Sequence, residues 1–141
     1  DIELDGNHVY YITPVTNNIV QVTTNLVRPN GLVGTTDGRR LYVADHGGGQ
    51  TFVYDVQSDG RLDNQRIFVQ QGADGITLDS KGNLYLTGDD VTIYNPNGIP
   101  IGSIAVPEPP ANLAFGGIEG TTLFITARTS LYAIKMMVKG Q

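Results

Sequence analysis

The sequence predicts an all-β fold, and within that class a β-propeller, on three observations. Glycine fills 18 of 141 positions, about twice the usual ~7%, and charged residues make up 16% against the roughly 25% of an ordinary soluble domain. Short runs rich in Val, Ile and Tyr alternate with Gly-containing turns, the pattern of strands joined by tight connections. The third observation is that the chain repeats itself with a period near 40 residues, three to four short strands to the unit, as propeller blades do.

Residues 1–27 fit the repeat least well: "HVYYITP" and "NIVQVTTNLV" predict the two outer strands of a preceding blade. A blade over 28–71 follows, in "NGLVGTTDGRRLYVADHGGGQTFVYDV" with a fourth strand at "RIFVQ". Another over 72–109 reads "DGITLDSKGNLYLTGDDVTIYNP", its fourth strand at "IGSIAVP". The last, over 110–141, contains "NLAFGGIEGTTLFITARTSLYAIK". These units open on Asn30, Asp74 and Asn112, 44 and 38 residues apart, and their second strands begin at Leu41, Leu84 and Leu123, at offsets of 11, 10 and 11. A lone β-sandwich is the structural competitor, but it has no need for Asn or Asp to recur at each first strand.

About three and a half blades result, whereas a ring closes with about 4–8. The open strand edges then invite pairing: a partner supplies the rest, two copies assemble, or the chain is a piece of a longer protein. The start at Asp1, with neither methionine nor a signal-like segment, makes the last the expectation. Missing N-terminal blades or a second chain would close the propeller.

Composition narrows the function. The net charge is −5 and no basic block is interleaved with aromatic residues, so no nucleic-acid partner is expected. No stretch approaches the roughly 18 apolar residues of a membrane span, so no membrane partner is expected either. The absence of cysteine excludes thiolate metal sites, disulfides and cysteine nucleophiles. There is no Ser-His-Asp order or G-x-S-x-G elbow to support a serine mechanism.

Because strands alternate direction within a blade, the entrance to its first strand and the loop between its second and third share one face. That rim collects Asn30, Asp45, His46, Asp74, Asp89, Asp90, Asn112 and Arg128; the other face receives "TTDGRR", "DSKGN" and "IEGTT", which read as ordinary tight turns. Carboxylate and amide oxygens with few imidazoles and no thiols suit a hard cation such as Ca²⁺ or Mg²⁺. Taken singly, Asn30 and Asp74 read as turn formers, since Asn-Gly and Asp-Gly tolerate positive φ; their recurrence at the inner-strand entrance moves them toward function. His46, beside three glycines, reads as a solvated loop residue or a base. Arg128 reads as a surface charge or an anion clamp.

The segments "RPNGLVGTTDGRRLYVAD", "GADGITLDSKGNLYLTG" and "NLAFGGIEGTTLFITARTSLYAI" resemble the second half of the gluconolactonase/regucalcin family of six-bladed propellers, over most of the chain from Asn25 to Ile134. The resemblance implies one divalent cation at the mouth of the central channel, used to hydrolyse sugar-type lactones, a small-molecule substrate. It implies a metal held by the asparagine of "PNG" (Asn30), the aspartate of "DG" (Asp74) and a glutamate that falls before this chain. Glu3, just ahead of an outer strand, does not replace that glutamate. The resemblance puts Asn112 at the same rim, and His46 and Arg128 are further rim or substrate candidates. Calcium is the first expectation for the ion; magnesium, zinc and manganese are also compatible with an Asn/Asp/Glu set.

A lactone is an ester, so its hydrolysis requires a polarised carbonyl and a deprotonated water, and a bound cation promotes both. Asp74 is the expected catalytic residue, accepting the proton of water as well as ligating the metal. The rival expectations are a non-catalytic calcium-binding or protein-interaction scaffold on the same fold, or an inactive fragment.

Overall fold

The computed structural model describes residues 6–141; Glu3 lies outside the described residues. Thirteen strands and no helix occur among them, arranged in four antiparallel sheets. β1 (Tyr10–Ile12) pairs with β2 (Ile19–Gln21), a two-stranded sheet among the described residues. β3 (Pro29–Gly34), β4 (Arg40–Asp45), β5 (Gln50–Val56) and β6 (Leu62–Val69) form a four-stranded meander. A second meander comprises β7 (Ile76–Leu78), β8 (Leu84–Thr87), β9 (Val91–Tyr94) and β10 (Pro100–Ile104). β11 (Pro110–Gly116), β12 (Thr122–Ala127) and β13 (Ser130–Lys135) close the series as a three-stranded sheet. The molecule is a partial β-propeller of about three and a half blades.

Both faces of each middle sheet are apolar because each packs between two neighbours. Side chains on a strand alternate faces, and the alternation is visible in β4: Tyr42 and Ala44 join the core shared with β7 and β8, whereas Val43 joins Val9, Leu26 and Tyr54 on the other side. In β8, Leu84 and Leu86 face back to that first core, and Tyr85 faces forward to Val91, Leu113, Leu123 and Ile125. An edge-to-face contact between Tyr85 and Phe115, 5.4 Å between centroids, ties the second meander to the last sheet. On the outer face of that sheet Phe124 and Leu131 stay 38% and 67% exposed, so apolar surface is left uncovered at the open end.

The innermost strands approach so closely that only glycine fits between them. A Cβ on Gly31 of β3 would lie 2.7 Å from the Asp74 carbonyl oxygen and 2.7 Å from the Ile76 side chain; one on Gly75 would lie 2.5 Å from the Asn112 Cα. This corrects the turn reading of "NG" and "DG". Asn30 and Gly31 lie inside β3, none of Asn30, Gly31, Asp74 and Gly75 has a positive φ, and what selects the glycine is contact between blades. The pairing of β3 with β4 shifts register between Pro29 and Leu32, and that of β11 with β12 between Pro110 and Asn112. Such irregularities re-aim side chains, and here they fall at Asn30 and next to Asn112.

The opposite face holds more than turn chemistry. Asp79, from "DSKGN", is fully buried and accepts hydrogen bonds from the Lys81 and Asn83 amides, the Asn83 side chain and the Tyr85 hydroxyl. Burial and this carboxylate push the Tyr85 hydroxyl far above the ordinary tyrosine value, so it remains a donor. Residues 139–141 then cross the three inner hairpins. Ser80 donates to the Lys139 carbonyl at 2.8 Å and Gly140 to the Gly120 carbonyl at 3.0 Å. Gln141 Nε2, in the side chain, donates to the Gly34 carbonyl at 3.2 Å.

The inter-blade contact predicts a contrast between two glycines of one strand. Gly31→Ala forces a Cβ into backbone and should lower unfolding stability by about 2 kcal/mol. Gly34→Ala, whose Cβ would meet nothing nearer than the Arg40 carbonyl oxygen at 3.7 Å, should be neutral or stabilise by about 0.5 kcal/mol. Denaturant melts of the two variants measure the difference, and equal losses would refute the close-approach account.

Candidate active site

Two side chains of the preceding blade, Asn30 in β3 and His46, converge on Asp74, which stands just before β7. The Asn30 amide nitrogen donates to Asp74 Oδ1 at 2.8 Å, and His46 Nδ1 lies 3.1 Å from the same oxygen. His46 comes from the β4–β5 loop, and its side chain and that of Asp74 are 42% and 46% exposed, so the cluster is open to solvent from the rim. The backbone beneath is fixed: the Gly75 amide donates to Thr87 Oγ1 at 2.9 Å and the Thr87 amide to the Gly75 carbonyl at 3.1 Å. Asp74 is thus a solvated carboxylate on a rigid support, flanked by an amide and an imidazole.

Other residues placed at the rim by sequence have different duties. Asp45 is 2% exposed and accepts from the Val27, Arg28 and Gly48 amides at 2.9, 2.7 and 3.2 Å; it organises the chain entering β3 and is spent on backbone. Asp90 accepts from the Val106 amide at 3.2 Å. Asn112 adjoins Gly75, and its Oδ1 accepts its neighbour's Leu113 amide at 2.8 Å. Arg128 occupies the β12–β13 turn in a left-handed conformation, φ 46°. It stands apart from the Asn30–Asp74–His46 cluster, in a turn where Glu108 receives the Thr129 amide and hydroxyl.

Beside Asp74 opens a cleft of about 660 Å³ over the second meander, with His46, Gln71, Asp74, Asp89, Thr92 and Ser103 in its wall. The sequence reading missed Gln71. Its Oε1 accepts from the Tyr94 hydroxyl at 2.7 Å, and burial raises the Tyr94 pKa, keeping that hydroxyl protonated. No repeat or motif marks this pair, which lies 23 residues apart in sequence.

The fold and its inner rim define a partial propeller of a particular kind. Residues 2–129 match the family model described as the SMP-30/gluconolactonase/LRE-like region, and the chain belongs to that family. A gluconolactonase from Zymomonas mobilis is 28% identical over 154 aligned residues, covering 98% of this chain and 43% of the relative. The structure of a gluconolactonase from Xanthomonas campestris superposes with a TM-score of 0.86 at 28% identity, covering 96% of this chain and 46% of that one. A calcium-binding regucalcin from Agrobacterium tumefaciens shares the fold, with a TM-score of 0.82 at 18% identity over 95% of this chain and 54% of its own. The chain therefore spans about half the length of the relatives it matches.

The two kinds of rim aspartate should separate by stability. Asp45→Ala removes the buried acceptor shared by three backbone amides and should cost about 3 kcal/mol, whereas Asp89→Ala at the exposed cleft wall should stay within about 0.5 kcal/mol. Thermal unfolding of both variants checks this, and a tolerated Asp45→Ala would contradict the structural role.

Proposed function

We propose that the complete protein hydrolyses a sugar-type lactone with the help of a divalent cation, and that this chain contributes Asn30 and Asp74 to the reaction centre. The observation that carries the reading is the meeting of Asn30 and Asp74 from adjacent blades, at 2.8 Å, in a chain of a family with gluconolactonases among its relatives.

The donor chemistry fits a hard ion. Asp74 offers a carboxylate and Asn30 an amide oxygen once its side chain turns, and the chain has no thiol. Among the described residues no three His, Cys, Asp or Glu side chains converge to hold a metal. Two oxygen donors are fewer than the 6–8 that calcium takes, so these residues supply part of a coordination sphere, with the rest from water, substrate and residues outside this chain. Calcium is the ion proposed.

A cation held there supplies Lewis acidity to the ester carbonyl and to the attacking water. Asp74 would accept the proton released as water adds to the carbonyl carbon and return it to the ring oxygen as the bond between that oxygen and the carbonyl carbon breaks, and its exposure to the rim lets substrate and water reach it. His46 orients the carboxylate through Oδ1. Asn30 contributes a neutral ligand, which limits the build-up of negative charge beside Asp74.

In the complete protein Asp74→Ala should lower kcat for D-glucono-δ-lactone by at least about a hundredfold and weaken calcium binding, with unfolding stability close to wild type. Asn30→Lys should impair both by placing a cation where the ion is proposed. Steady-state assays with calcium titrations test these outcomes; unchanged hydrolysis by Asp74→Ala would sink the assignment.

A further inference from the structure

The cleft beside Asp74 contains a hydrogen-bonding device that the reaction described above does not use. Gln71 precedes Asp74 by three residues, and its amide has one end fixed: Tyr94 donates to Oε1 at 2.7 Å. That bond turns Nε2 toward Gly88, where a Cβ would approach it to 3.3 Å; the missing side chain leaves room for the amide at the cleft wall. A primary amide has two donor hydrogens, and one held in this way presents them without further loss of side-chain freedom. Around it the wall carries the hydroxyl residues Thr92 and Ser103 and the carboxylate of Asp89, and the lining contains no Lys or Arg. Such a surface suits hydroxyl groups, which both donate and accept. It is ill suited to a phosphate or carboxylate substituent on the ring, which would meet Asp89 and Asp90 with no Lys or Arg beside them.

We propose that Gln71 is a specificity-determining residue, its amide aimed by Tyr94 at a hydroxyl group of an uncharged polyhydroxylated ring seated in the cleft beside Asp74. The proposal rests on the lactone-hydrolase reading for the reaction but not for the binding. Gln71 touches the ring hydroxyls, remote from the ester, and Tyr94 is a positioning residue acting through it. A site built around such a donor discriminates against an analogue lacking the hydroxyl, because the donor is then left unmatched.

The test uses the complete protein with two substrates, D-glucono-δ-lactone and the unsubstituted δ-valerolactone. In Gln71→Leu the ratio of kcat/KM for the first over the second should fall about fivefold or more, the loss of one hydrogen bond. Tyr94→Phe should lower the same ratio mainly through KM of the hydroxylated lactone, leaving δ-valerolactone unaffected. If either variant fails to fold, the other carries the test. Equal losses on both substrates, or an unchanged ratio, would overturn the proposal.

Binding of anhydroglucitol, which has the ring and hydroxyls but no ester, reads the cleft independently of hydrolysis. Wild type should bind it and Gln71→Leu should bind it at least about fivefold more weakly. No binding by wild type, or equal binding by both, would overturn the cleft assignment. Binding that depends on Gln71 in a protein that hydrolyses neither lactone would uphold the cleft and overturn the lactonase reading alone.

Discussion

Neighbouring inner strands meet through Gly31 and Gly75, with distances that leave no room for a methyl group. That constraint brings the Asp74 backbone against β3 and the Asn112 backbone against Gly75, and so sets three blade entrances side by side at one rim. The Asn30–Asp74 hydrogen bond, between residues 44 apart in sequence, is its direct consequence. A wider spacing would leave the two side chains as separate surface groups, and His46, which arrives from a loop, would have no carboxylate to orient.

Rigidity around this rim comes from polar groups with no exposed function. Asp45 gathers three amides at the entrance to β3, and Thr87 holds Gly75 from both sides. At the far end Asp79, Asn83 and Tyr85 form a buried network, while residues 139–141 join the hairpins of successive blades. Buried carboxylates that accept several hydrogen bonds are costly to disturb and fix a unique arrangement. The two ends of the propeller are thus anchored, and the carboxylate of Asp74 is left available between them.

Periodicity made the architecture legible in the sequence, since "LYV", "LYL" and "LFI" recur at a fixed distance from an Asn or Asp and only a stack of similar units explains that. The same recurrence singled out Asn30 and Asp74. It could not say why a glycine follows each of them, because a close approach between strands and a positive φ leave the same letter in the chain. Nor could it separate Asp45 from Asp89: both sit in rim loops, and only the partners of each carboxylate distinguish a backbone anchor from a cleft wall. Gln71 and Tyr94 come together across the second meander without any local pattern. The tie of residues 139–141 to the second and third of the inner hairpins runs through backbone groups, about which side-chain identities say little.

The central claim is that Asn30 and Asp74 jointly receive a cation. The most direct measurement is a crystal structure of the complete protein grown with saturating calcium. The account predicts an ion with oxygen atoms of both Asn30 and Asp74 at about 2.3–2.6 Å, the Asn30 amide having turned its oxygen toward it. An Asn30 amide still donating to Asp74 Oδ1, with no ion between the two side chains, would contradict it.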